Sequence, residues 1–174
     1  KPLQEACSAA SVLGCVVIAN YNCPTQLVIA GDAAAVEKAG ELALQAGAKR
    51  VVPLKVSGPF HTSLMAPAGE ALAEKFRSVA FGEMSFPVLF NCLGHEMAEN
   101  DTVATLLEKQ VQSGVRWEVT VRRLAELGVD TAIEIGPGRV LTGFVKKTVG
   151  NAISCYPVET AAQLQQFLCT MKGA

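Results

Sequence analysis

Only two histidines occur among the 174 residues, His61 and His95. An imidazole is the side chain that most readily accepts and returns a proton near neutral pH. His61 sits in Ser57-Gly58-Pro59-Phe60-His61-Thr62-Ser63-Leu64-Met65, directly after an apolar stretch that reads as a strand. Loops that follow the carboxyl ends of strands are where α/β proteins place their sites. That position suits a general base, against the plainer reading of a loop histidine with no role. His95 lies in Leu93-Gly94-His95-Glu96, a polar turn, and reads as a solvated side chain. The two are far apart in sequence, with no H-E-x-x-H spacing, so a zinc pair is not indicated.

A base needs a proton donor to act on. No G-x-S-x-G elbow occurs in the chain, and no serine stands at an evident strand-to-helix turn. If His61 is catalytic, its nucleophile lies outside these residues. Gly136-Pro137-Gly138 joins a predicted strand to a predicted helix, where phosphate loops are found. Position 141 is Leu, however, and no Gly-Lys-Ser/Thr follows, so a tight structural turn is the better reading. The cysteines, at 7, 15, 23, 92, 155 and 169, show no C-x-x-C spacing and have apolar neighbours. They read as buried free thiols in a reducing, cytoplasmic setting, with no metal.

These residues need a framework, and the composition supplies one. Half the residues are apolar and 18% are charged, which excludes a disordered chain. Lys plus Arg number 15 against 16 Asp plus Glu, so no basic field exists for nucleic acid or an anionic membrane. No apolar run approaches the ~20 residues of a membrane-spanning helix. The first residue is Lys1 and no signal peptide is evident, which predicts a truncated or processed chain.

Two regions emerge. Residues 1–57 read α-β-β-α-β. A helix carries Leu3, Ala6, Cys7, Ala10 and Leu13, and a hairpin turns at Asn20 to Thr25. Asp32 caps a second helix, and Val51, Val52, Leu54 and Val56 form a third strand. This is a ferredoxin-like order lacking its first strand. Residues 58–174 alternate differently: a helix over 64–76, a short strand over 86–90, a helix over 102–112 capped by Asp101, and a helix over 118–127. A strand over 131–135, a helix from Arg139, a strand over 153–158 and a last helix follow, the last opened by the capping box Thr160-Ala161-Ala162-Gln163. That alternation predicts a parallel sheet with helices on its faces, an α/β fold.

Three segments, in order, resemble those of one family. Asn20-Tyr21-Asn22-Cys23-Pro24-Thr25-Gln26-Leu27-Val28-Ile29-Ala30-Gly31 is similar to the N-x-N-x-P-x-Q-x-V-I-x-G segment of malonyl-CoA:acyl carrier protein transacylases. Val56-Ser57-Gly58-Pro59-Phe60-His61 resembles their active-site histidine motif. Glu134-Ile135-Gly136-Pro137-Gly138-Arg139-Val140-Leu141 resembles E-x-G-P-G-K-V-L, with Arg139 replacing the usual Lys. The resemblance implies part of an α/β-hydrolase-like subdomain (58–174) with an inserted, incomplete ferredoxin-like subdomain (1–57). The family's G-H-S-x-G serine and its malonyl-binding arginine would lie upstream, making this the C-terminal portion.

The resemblance implies that His61 is the base for a serine that carries malonyl from malonyl-CoA to the phosphopantetheine thiol of acyl carrier protein, in fatty acid biosynthesis. It matches Gln110 to a glutamine beside the histidine, although by itself Gln110 reads as a solvated helix residue. It matches Asn22 and Gln26 to residues lining the acyl and CoA side of the cleft, and both read equally well as structural turn and strand residues. Phe60 matches the pattern of malonyl-selective members. The implied partners are acyl carrier protein and the N-terminal half of the same enzyme, with no nucleic acid, no membrane and no permanently bound cofactor; malonyl-CoA is substrate. The competing expectations are an inactive fragment, a carrier-protein-binding module, and an acyltransferase domain of a polyketide synthase.

Overall fold

A computed structural model describes residues 2–172. Helix α1 (Pro2–Ala10) buries Ala6, Cys7 and Ala10 of the expected apolar face, but it ends before Leu13, which lies in a following 3-10 turn and is exposed. Strands β1 (Val16–Cys23) and β2 (Gln26–Gly31) form an antiparallel hairpin closed by Pro24 and Thr25. Its register slips twice, between Ile18 and Asn20 and between Tyr21 and Cys23. Gly31 is required at the hairpin's end, because a Cβ there would overlap the Cys15 carbonyl oxygen and its φ is +152°. Helix α2 (Ala33–Gln45) presents Ala35, Ala39 and Ala43 to the interior. These small side chains let α2 lie against α1 and β1, around a core of Cys7, Ala10, Val16 and Ile18.

Two expectations for this region change. Asp32 stands at the head of α2, but its carboxylate accepts from the Cys15 amide at 2.8 Å and makes no cap bond. Residues 51–56 form no strand. A strand needs a partner ladder, and Val51, Val52, Leu54 and Val56 are all exposed with no paired neighbour among the described residues.

Helix α3 (Ala66–Phe76) begins with Pro67 in its first turn, where no amide donor is needed. Strands β3 (Leu89–Phe90) and β4 (His95–Glu96) make a minimal antiparallel pair. The predicted strand over 86–90 is confined to its last two residues, since Pro87 cannot donate to a ladder. Helix α4 (Val103–Gln112) is capped by Thr102 rather than Asp101. Thr102 and Thr105 form a reciprocal capping box, while the Asp101 carboxylate takes the Ala98 amide at 2.9 Å.

Helix α5 (Trp117–Glu126), strand β5 (Thr131–Ile135), helix α6 (Val140–Val149) and strand β6 (Ser154–Val158) follow. β5 and β6 pair in parallel from Thr131↔Ser154 to Ile135↔Val158, with α6 as the crossover. α5 and α6 pack over a core of Val121, Val145 and Ile153. Helix α7 (Ala161–Lys172) opens on the expected capping box: the Thr160 amide donates to Gln163 Oε1 at 3.1 Å, and the Gln163 amide donates back to Thr160 Oγ1 at 3.3 Å.

The architecture is α/β, with one parallel and two antiparallel strand pairs among the described residues. No helix among them is long and apolar enough to cross a membrane. Cys7, Cys23 and Cys92 are buried free thiols, Cys15 and Cys155 are half-buried, and Cys169 is exposed. The expectation of burial therefore fails at Cys169, which lies on an α7 most of whose side chains are exposed. Burial pushes the Cys7 and Cys92 thiols up, which keeps them protonated and inert.

Candidate functional site

The site is assembled at the carboxyl end of α4. The last carbonyls of an α-helix have no intrahelical donor, and at α4 two of them are taken by His61. Its backbone amide donates to the Val111 carbonyl at 3.0 Å. Its ring Nδ1 lies 3.0 Å from the Gln110 carbonyl oxygen and 3.1 Å from that of Ser113. Carbonyl oxygens only accept, so Nδ1 carries the proton and donates to both. In the neutral ring Nε2 is then the acceptor, and it has no hydrogen-bond partner among the described residues. Main-chain carbonyls thus occupy the place where a carboxylate orients the histidine in a Ser-His-Asp arrangement.

His61 is the one non-glycine residue with positive φ, +65°, among the described residues. A left-handed backbone at such a residue costs of order 1 kcal/mol, so the surroundings must enforce it. The hydrogen bond from its amide to the Val111 carbonyl does so on one side. On the other, buried Thr62 ties the Pro59 carbonyl to the Leu64 amide.

The other sequence candidates fall into place unequally. Gln110 is beside His61, but it acts through its main-chain oxygen; its amide group makes no hydrogen bond to the ring. Phe60 adjoins His61 and is 44% exposed, with its ring left open to solvent over Gly58. Asn22 is half-buried near the end of β1, and Gln26 is exposed at the start of β2. Neither side chain hydrogen-bonds to His61 among the described residues. The hairpin they belong to is nevertheless stitched to the site. The Tyr21 amide donates to the Val115 carbonyl and the Val115 amide to the Ala19 carbonyl, both at 2.8 Å. This holds β1 two residues from Ser113, with Arg116 stacked over the Tyr21 ring at 5.9 Å. His95 is exposed on β4, its Nδ1 2.7 Å from the Glu96 carbonyl, remote in role from the His61 cluster.

The turn at Gly136-Pro137-Gly138 is not a vacant anion site. The Glu134 carboxylate, on β5, accepts from the Leu141 amide at 2.9 Å and the Thr142 amide at 2.7 Å. It fills the amino end of α6 with the chain's own charge. Burial works against ionisation of Glu134, yet hydrogen bonding from Thr142 and Leu141 outweighs it and holds the carboxyl below the usual range.

Thr62, Val111 and Ser113 were not singled out from sequence. Val111 and Ser113 contribute only main-chain oxygens, which every residue type has. Thr62 had one legible signal: a Thr placed to cap the turn that opens the next helix.

No protein-family profile matches the chain. It is 43% identical over 157 residues to the malonyl CoA-acyl carrier protein transacylase of Bacillus subtilis, covering 90% of this chain and 49% of that protein. It superposes on the malonyl CoA-acyl carrier protein transacylase of Clostridium perfringens with a TM-score of 0.91 at 37% identity, covering 97% of this chain and 53% of the other. A malonyl-transacylase solved in complex with a type II polyketide synthase acyl-carrier protein gives a TM-score of 0.92 at 40% identity, covering 97% and 54%. The chain's curated homologues and structural neighbours are thus malonyl CoA-acyl carrier protein transacylases, and it spans about half the length of those it matches.

Proposed function

We propose that this chain is the histidine-bearing, C-terminal part of a malonyl CoA-acyl carrier protein transacylase, and that His61 is its general base. The observation that carries the reading is the ring's hydrogen bonding. With Nδ1 donating to Gln110 and Ser113, the free Nε2 is an oriented proton acceptor.

In this reading a serine on the other half of the enzyme gives its proton to Nε2 as Oγ attacks the malonyl thioester. The C–S bond breaks, and the leaving CoA sulfur takes the proton back. The phosphopantetheine thiol of acyl carrier protein then gives its proton to Nε2 and attacks the serine ester, and Oγ recovers the proton as it leaves. This is two-step covalent transfer and needs no resident cofactor. In each step the ring stays oriented by the Gln110 and Ser113 carbonyls, which do not themselves titrate. Phe60 flanks the acyl group, and Asn22 and Gln26 line the cleft from the hairpin. Residues 1–57 form an incomplete, ferredoxin-like smaller subdomain and 58–174 belong to the larger, α/β-hydrolase-like one. The enzyme would work in the cytoplasm on a carrier protein; the neighbour solved with an acyl-carrier protein supports that partner.

The exposure of the sheet supports a further half. A two-stranded parallel sheet is normally covered on both faces, yet Ile135 of β5 is 82% exposed, and Ile133 and Leu141 are exposed beside it. The test is covalent labelling. Malonyl-CoA should leave this chain unmodified in mass spectrometry, and should acylate a serine of the full-length polypeptide only when His61 is present. Malonyl attached to a residue of this chain would overturn the assignment.

A further inference from the structure

Resting on the reading of His61 as the base, we propose that Thr62 is its positioning residue, and that the Thr62 hydroxyl sets the rate of proton transfer without touching substrate. Thr62 is 1% exposed and, with Thr120, is one of two buried polar side chains among the described residues. Its Oγ1 donates to the Pro59 carbonyl at 2.7 Å and accepts from the Leu64 amide at 3.2 Å. These partners lie two residues before and three after His61, so a single hydroxyl closes the loop around it. His61 sits inside that closure at φ +65°, a conformation a histidine abandons when nothing holds it.

The geometry makes the consequence specific. In this backbone conformation the His61 ring reaches the Gln110 and Ser113 carbonyls while its own amide is pinned to the Val111 carbonyl. Without the Pro59–Thr62–Leu64 bridge, the Val111 hydrogen bond alone opposes relaxation of His61 toward negative φ, which swings the Cα–Cβ bond and draws Nδ1 off the carbonyls. Nε2 then no longer points where the carbonyls fix it. Misplacement of about an ångström in a reacting group lowers a rate by about 100-fold. A hydroxyl that merely caps the turn at Ser63–Met65 and the start of α3 predicts something else: lower stability with intact turnover.

The experiment measures malonyl transfer by the full-length polypeptide carrying this segment, well below its melting temperature, with saturating and limiting malonyl-CoA. Thr62→Val, which keeps shape and loses the hydroxyl, should lower kcat by about 10- to 100-fold with KM for malonyl-CoA changed less than about threefold. Thr62→Ser, which restores the hydroxyl, should recover kcat to within about threefold of the parent. Wild-type kcat in Thr62→Val alongside a reduced melting temperature would overturn the proposal in favour of a simple cap. A Thr62→Ser protein as slow as Thr62→Val would overturn it in favour of packing. Thr62→Ala gives the same readout if valine is not accommodated. His61→Ala run in parallel separates the two readings. Full activity there overturns the base and Thr62 with it, whereas an inactive His61→Ala beside a fully active Thr62→Val overturns Thr62 alone.

Discussion

The Nδ1 of His61 lies 3.0 Å from the main-chain oxygen of Gln110, and the Gln110 side chain takes no part in that bond. The residue that resembles a family position therefore acts through the part of it that no substitution removes. Gln110→Ala should keep the α4 carbonyl in place and lower kcat/KM for malonyl transfer by less than about tenfold, under ~1.4 kcal/mol. Steady-state kinetics of the full-length variant check this; a loss as large as that of His61→Ala would mean the amide group, not the helix end, orients the ring.

Replacing His61, the proposed base, should be far more damaging. His61→Ala should slow acylation by about 10² to 10⁴. Ala also leaves the carbonyls of Gln110 and Ser113 without their donor and keeps a strained φ, so a modest loss of stability, of order 1–2 kcal/mol, should accompany it. His61→Asn should be equally inactive but more stable than His61→Ala, because Asn adopts the left-handed conformation more readily. Stopped-flow acylation and thermal melts of the two variants separate chemistry from folding.

Phe60→Ser should change preference more than speed. In the proposed reading, the half-exposed ring beside His61 would limit the space next to the acyl group. Replacing it should improve methylmalonyl-CoA relative to malonyl-CoA by about 10- to 200-fold, the worth of one methyl, ~1–3 kcal/mol. Competition between the two thioesters gives the ratio directly; an unchanged ratio would place Phe60 away from the acyl pocket.

Glu134 provides a pH signature. Its carboxyl is held below the ordinary value of ~4.3 by the α6 amides, so its folded-state value is depressed. A depressed carboxylate contributes stability fully above the unfolded value and loses it as pH falls through the folded one. Glu134→Gln should thus be less stable than the parent by about 1–2 kcal/mol at pH 7. The gap should close on acidification below about pH 4. Denaturant melts across pH 3–7 test this; a gap that persists at pH 3 would assign the effect to packing.

The isolated chain should associate. Ile133, Ile135 and Val140 expose apolar surface around the parallel pair, and β5 and β6 each have one unpaired edge among the described residues. Sedimentation should show oligomers or aggregates that the remainder of the enzyme suppresses when co-expressed. A monodisperse monomer would count against a covering half.

Local patterns in the sequence were enough for the helices, the hairpin and the parallel pair, because each depends on apolar spacing and turn chemistry within a few residues. The α1 face, the Thr160–Gln163 capping box and the Gly-Pro-Gly turn were all legible in that way. They were also enough to single out His61 by its residue type and the Gly58-Pro59 before it, although the strand expected to lead into that loop does not form. Where local sequence misled, a competing partner or the want of one decided. Asp32 and Asp101 have cap chemistry, but the Cys15 and Ala98 amides hold their carboxylates. Residues 51–56 have strand composition but no strand beside them. The site was the least legible part, because main-chain oxygens orient the imidazole. Gln110, Val111 and Ser113 come to His61 only because α4 ends there, and the left-handed turn at His61 is held by a hydroxyl and an amide rather than by a glycine. Carbonyls have no side-chain signature, so only the tertiary structure shows which of histidine's two nitrogens is left free to take a proton.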